Sequence, residues 1–182
     1  MRSPARQTDW MGAKMTANKG FTLVEILIVV IILGIIAAMI IPQFSSASES
    51  ARAAMLMDDL RVMRSQLEVF KAQHNGVPPG FPDCDTTKIP TEPEMLDHIT
   101  KSSNPAGATA AINTPGYPYG PYMREIPANP FNGKSSVRVL RASDVLPNSP
   151  TDQYGWIYQP STMMFKSDCL GKDSNGVPYF DY

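Results

Sequence analysis

The sequence predicts an α+β protein: a long N-terminal helix, transmembrane in its first half and amphipathic in its second, packed on a small antiparallel sheet domain. Three observations predict it. Residues Phe21 to Ile41 are apolar almost without break. Beyond Pro42, Leu56, Leu60, Met63, Leu67, Phe70 and His74 recur at alternating steps of four and three, which is a single stripe on a helix. All but two of the 17 prolines fall from Pro78 onward, which excludes long helices there. The division that follows is 1–20 as a leader, 21–41 as the membrane half of the helix, 42–76 as its amphipathic half, and 77–182 as a Pro-rich globular domain.

The leader is polar and basic, with Met11 and Met15 as alternative starts to Met1. Arg2, Arg6, Lys14 and Lys19 precede the apolar run, whereas Arg52 and Arg61 after it are offset by Glu49, Asp58 and Asp59. That asymmetry predicts a single pass with the N-terminus cytoplasmic and the rest extracytoplasmic or periplasmic. At 1.5 Å per residue Phe21–Ile41 is about 30 Å long, the thickness of a hydrocarbon core. It exceeds the apolar core of a secretory signal, about 7 to 15 residues, and leads into a helical pattern, so it is read as retained.

In the amphipathic half, Asp58 with Arg61, Arg64 with Glu68, and Glu68 with Lys71 have the spacing of surface ion pairs, each worth about 0.2 to 0.5 kcal/mol. The helix should stop at "HNGVPPG", where Asn75 and Gly76 suit a left-handed cap and Pro78 and Pro79 cannot continue the ladder. Phe21 to His74 is then one helix about 80 Å long, with Pro42 the place for a kink. No domain of this size buries all of it, so lipid or other copies must cover part.

In the globular domain "TEPEMLDHIT" reads as a short helix with Thr91 and Glu94 as a capping box and Pro93 in the first turn. Residues 103–116 read as loop, 135–142 as a strand, and "YGWIYQPSTMMFKSD" as two strands about a turn at Gln159–Thr162.

The formal charge of -1 and pI near 6.1 leave no basic excess for phosphates, so nucleic acid is not expected as a main partner. His74 and His98, the two histidines, stand in no catalytic or metal motif and are read as structural. No phosphate loop or nucleophile elbow occurs, and no enzymatic activity is expected. Cys84 and Cys169 could form a disulfide in an oxidising compartment, worth on the order of 4 to 5 kcal/mol by chain entropy. The aromatic run "YPYGPY" at 117–122 is a partner or glycan surface or, on the favoured reading, a Pro-packed loop over the sheet. Asp168, Asp173, Ser174, Asn175, Gly176 and Asp181 make an oxygen-rich stretch. Such a loop can hold Ca²⁺, yet it fits no EF-hand and turn chemistry explains it equally. No other cofactor is expected.

The junction Lys19-Gly20-Phe21-Thr22-Leu23-Val24-Glu25, followed by an apolar run with Gly34 and then Pro42, resembles the N-terminus of type IV pilins and type II secretion pseudopilins. The resemblance implies cleavage of the leader after Gly20 by a prepilin peptidase, methylation of Phe21, and polymerisation of the chain into a filament with partial unwinding near Gly34–Pro42. Residues 120–131, with Tyr122-Met123 and Pro127-Ala128-Asn129-Pro130-Phe131, are more loosely similar to the major pseudopilins. Asn129 and Phe131 stand where that subgroup has aspartate and tryptophan. The reading that follows is a structural subunit of a type II secretion pseudopilus, whose partners are other copies, the peptidase, the assembly machinery and membrane lipid. A type IV pilus or DNA-uptake subunit is the alternative, and a monomeric membrane-tethered binding module is a second.

Glu25 has two readings. Near the interface it can reach water and merely mark a helix end. If Phe21 becomes a free amine, the carboxylate of one copy can meet the amine of the next. The gross attraction is about 4 kcal/mol at about 4 Å and an effective dielectric near 20, before desolvation. The resemblance implies the second role. Gly34 and Ala38 make a small-x-x-x-small face for close helix approach.

Overall fold

The computed structural model describes residues 20–182, so the leader up to Lys19 lies outside the described residues. The chain divides into two compact units, one ending at Gln43 and the other Phe44–Tyr182. Helix α1 is Leu23–Gln73, and its first part belongs to the first unit.

In the first unit the apolar side chains face outward on every side: Ile26, Val30, Leu33 and Ile36 are each about half exposed. The helix is long and apolar enough to cross a membrane, with a window of mean hydropathy 3.2 and nothing buried. Such a surface is stable only against lipid or another apolar helix.

In the second unit the predicted stripe is the buried one. Leu56, Leu60, Met63, Leu67 and Phe70 are 0–1% exposed, each side chain worth roughly 1.5–3 kcal/mol on burial. α1 ends as the sequence anticipates: Asn75 and Gly76 have positive φ of 53° and 80°, and the Gly76 N–H donates to Lys71 O at 2.9 Å, closing the last turn. Helix α2 is Glu92–Thr100, with Thr91 Oγ1 accepting from the Glu94 N–H. The reciprocal half of the expected capping box is replaced, because the Thr91 N–H donates to Gly80 O. α2 lays Met95 and Ile99, both 0% exposed, on the core.

Strands β1 (Ser102–Ser103) and β2 (Thr109–Ala110) form a short antiparallel pair inside the stretch expected to be loop. Strands β3 (Val137–Val139), β4 (Trp156–Gln159) and β5 (Met164–Ser167) form the main sheet in the order β3-β4-β5. β4 and β5 are antiparallel about a one-turn 3₁₀ segment, Pro160–Thr162, as expected. β3 differs: it runs parallel to β4, so this sheet is mixed. A parallel pair needs a crossover, and residues 140–155 supply it, with Leu146 packing on Leu140, Ile157 and Phe180.

Alternation along β4 sends Trp156 and Tyr158 into the helix-side core and Ile157 to the outer cluster. Trp156 is 0% exposed, and its indole N–H donates to Pro127 O at 2.9 Å. On the outer face Lys166 Nζ lies 4.2 Å above the Phe180 ring. Just before β3 and β4 the chain comes so close to itself that a Cβ on Gly155 would collide with Lys134 O. The three surface pairs expected along α1 are not among the ion pairs of the described residues. Arg64 instead donates to Phe165 O at 3.0 and 2.8 Å and to Tyr182 O at 2.7 Å, because its guanidinium reaches backbone carbonyls of the packed sheet and C-terminus.

Candidate functional site: the helix N-terminus

Gly20, Phe21 and Thr22 precede the first helical residue. Phe21 is 84% exposed, and among the described residues nothing beyond its chain neighbours lies within 4 Å of where a Cβ on Gly20 would sit. The Gly20–Phe21 peptide is therefore an open, non-helical segment of the kind a peptidase can hold extended.

Thr22 and Glu25 cap the helix reciprocally. The Thr22 N–H and hydroxyl both donate to Glu25 Oε2 at 2.8 Å, and the Glu25 N–H donates to Thr22 Oγ1 at 3.2 Å. This is a complete capping box, carrying a carboxylate where the helix dipole favours one. The pattern Thr-x-x-Glu just before an apolar run was legible in the sequence, and it gives Glu25 a structural role beside the one expected of it. Both of its carboxylate bonds to Thr22 run through Oε2, and Oε1 takes no part in them. Among the described residues, nothing outside the helix's own adjoining backbone lies within 4 Å of where a Cβ on Gly34 would sit, so the Gly34 and Ala38 face is open to a second helix. Helix α1 is continuous through Pro42 in the single chain; the unwinding near Gly34–Pro42 is an expectation for an assembled filament only.

The other candidates lie in the second unit. Cys84 and Cys169 are free thiols, so the expected bridge is not formed. Cys169 is 1% exposed and held by Ser167 and Asn129, whereas Cys84 is lodged against Gly107. Burial and nearby Asp83 and Glu94 push the Cys84 thiol up to about 11, which keeps it protonated and unreactive. The oxygen-rich stretch does not converge. Asp168, 0% exposed, accepts from Thr151 N and Oγ1 at 2.5 and 2.6 Å and Tyr154 N at 3.1 Å. Asp173 accepts from Asn175 N, Val177 N and Tyr182 Oη, each at 2.8 Å. Asp181 faces Lys166 at 3.7 Å. Among the described residues no group of three or more acidic, His or Cys side chains could hold a metal.

The 117–122 run packs as a loop, against Ser103 of β1 and Gln73 of α1. Tyr119 bridges Ser103, and Tyr122 Oη donates to Gln73 Oε1 at 2.6 Å. Asn129, 0% exposed, uses both ends of its amide: Nδ2 donates to Gly155 O at 2.9 Å and Oδ1 accepts from the Phe131 N–H at 3.0 Å. An ionised aspartate could not donate to Gly155 O, which accounts for the amide at this position. Phe131 stacks on Tyr179 at 3.9 Å.

Comparison with known proteins bears on this N-terminus and the domain together. Residues 15–41 match the model of the prokaryotic N-terminal methylation motif. The chain is similar to type II secretion system core protein G of Pseudomonas aeruginosa, 37% identical over 114 residues that cover 63% of this chain and 68% of that protein. The protein of the same name from Klebsiella pneumoniae is 29% identical over 117 residues, 64% of this chain and 71% of that one. That from Vibrio cholerae is 28% identical over 119 residues, 65% and 68%. No solved structure matches. The exposed glycine junction, the capped apolar helix and this shared length lead to one conclusion: the chain belongs to the type II secretion system core protein G family, the major pseudopilins.

Proposed function

We propose that the chain is a structural subunit that polymerises into the envelope-spanning pseudopilus of a type II secretion system, without catalytic chemistry of its own. A prepilin peptidase removes the leader after Gly20 and methylates Phe21. The mature chain sits as a single pass, its N-terminus at the cytoplasmic face and its globular unit periplasmic, until the assembly machinery extracts it. In the filament the Glu25 carboxylate of one copy meets the Phe21 amine of the next and fixes their stagger, while Gly34 and Ala38 admit close helix approach.

The observation that carries this reading is the apolar helix itself: about half exposed on every side, it holds one carboxylate, and that carboxylate caps its own helix through a single oxygen. Lipid can cover the rest of this surface but supplies no partner for Glu25. Mass spectrometry of the mature N-terminus tests the proposal. Methylated Phe21 is expected, and a retained leader on the membrane-inserted protein would refute it.

A further inference from the structure

The second unit contains a buried pair of imidazoles that the filament reading does not use. The Phe70 ring is stacked with His74 at 3.8 Å and 12° and with His98 at 4.7 Å and 27°. His74 and His98 are 1% and 0% exposed. The partners of His98 fix its tautomer. Nδ1 faces the Gly80 N–H at 3.1 Å, which can only donate, and Nε2 faces Gly107 O at 3.1 Å, which can only accept. His98 is therefore neutral with its proton on Nε2, and it ties two separate loops to the last turn of α2. His74 donates from Nδ1 to Phe70 O at 2.8 Å. The Asn104 backbone also lies beside its ring, and the Ser103 hydroxyl neighbours Tyr122, so this corner of the core is polar.

We propose that His98, with His74 beside it, is an acid-operated latch: neutral, it holds the Gly80 turn and the Gly107 loop on α2; protonated, it lets both go. The added proton must sit on Nδ1, where it confronts the Gly80 N–H, and two donors cannot share one bond. The cation has another partner in reach, since Glu94 Oε2 lies 3.9 Å from His98 Nε2. Turning toward that carboxylate gives up Gly107 O.

The groups facing the pair are few. α2 contributes Glu94 and Asp97, the Pro82–Cys84 turn contributes Asp83 and Cys84, and α1 contributes the second imidazole of the pair. The 117–122 loop contributes Tyr119 and Tyr122. Burial is the dominant influence and holds His98 down to about 4; it also lowers His74. The latch therefore stays closed near neutrality and opens as pH falls below the ordinary histidine value toward that of the folded state. Opening has a chemical signature. Gly107 packs directly on Cys84 Sγ, so its departure uncovers that thiol while Cys169 stays in the core.

The test is thiol labelling of the full mature chain in detergent with a dipyridyl disulfide, which remains reactive in acid. Labelling of Cys84 should accelerate tenfold or more between about pH 7 and pH 4.5, near the folded-state titration, with Cys169 protected throughout. His98→Gln should abolish that acid dependence. A flat Cys84 rate, acceleration of both cysteines together, or an unchanged acid response in His98→Gln would overturn the latch. Should His98→Gln not fold, ring-proton NMR of the wild-type chain decides instead. The His98 titration and the shifts of the Gly80 and Gly107 amides must share one midpoint, and separate midpoints would overturn the proposal.

Discussion

Replacing Asp168 probes how the turns that close the sheet are held. The carboxylate is 0% exposed and accepts from Thr151 N, Thr151 Oγ1 and Tyr154 N, fastening the end of the 140–155 crossover to the end of β5. Asp168→Ala leaves two backbone N–H groups and a hydroxyl without acceptors. Hydrogen bonds to a charged group contribute about 1.5–3 kcal/mol each, but the hydroxyl can rotate and water can enter the vacated volume, so the sum is not reached. A loss of about 3–5 kcal/mol is expected. At about 2–4 °C per kcal/mol for a domain of this size, Tm should fall by roughly 10 °C. Asp168→Asn retains one acceptor oxygen and should cost about 2 kcal/mol, less than the alanine. Thermal unfolding of the mature chain in detergent, followed by circular dichroism, measures both. An Asp168→Ala protein within about 1 kcal/mol of wild type, or an asparagine variant worse than the alanine, would show that this carboxylate does not hold the turns.

Further outcomes are expected elsewhere. Glu25→Gln preserves a capping box yet removes the charge, so it should be processed and stably inserted but fail to form filaments in an assembly assay. Normal filaments from Glu25→Gln would refute the carboxylate–amine stagger, and Glu25→Val, which loses cap and charge together, should fail at least as badly. Gly155→Ala forces a Cβ against Lys134 O and should destabilise by about 1–3 kcal/mol in the same melt; an unchanged Tm would mean the two segments separate easily. With His98 lowered from its ordinary value to about 4, the unfolded chain binds more protons than the folded one between these limits. Its contribution to stability is full above about pH 6.5 and falls with pH by up to roughly 3 kcal/mol near pH 4. Melts from neutral to acid pH should show this fall in wild type and a smaller one in His98→Gln. Calcium titrated to millimolar concentration should release no heat, because Asp168, Asp173 and Asp181 are engaged in three separate places; measurable binding would show that the loop rearranges around an ion.

The membrane-length run, the buried stripe of α1 and the stop at Asn75–Gly76 were all legible in the sequence, because each follows from spacing along one segment or from one residue's backbone preference. Thr22 and Glu25 belong to the same class, being three apart. What tertiary structure decided involves residues distant in the chain. The direction of β3 depends on how residues 140–155 cross to β4, and alternation alone is the same for parallel and antiparallel neighbours. Arg64 forsakes a helical neighbour for Phe165 O, a residue far along the chain. The cysteines remain apart because each is packed against different loops. His98 is the sharpest case: its sequence neighbourhood shows an isolated histidine on a short helix, and only the packing of Gly80 and Gly107 around it, one offering a donor and the other an acceptor, makes its protonation state matter.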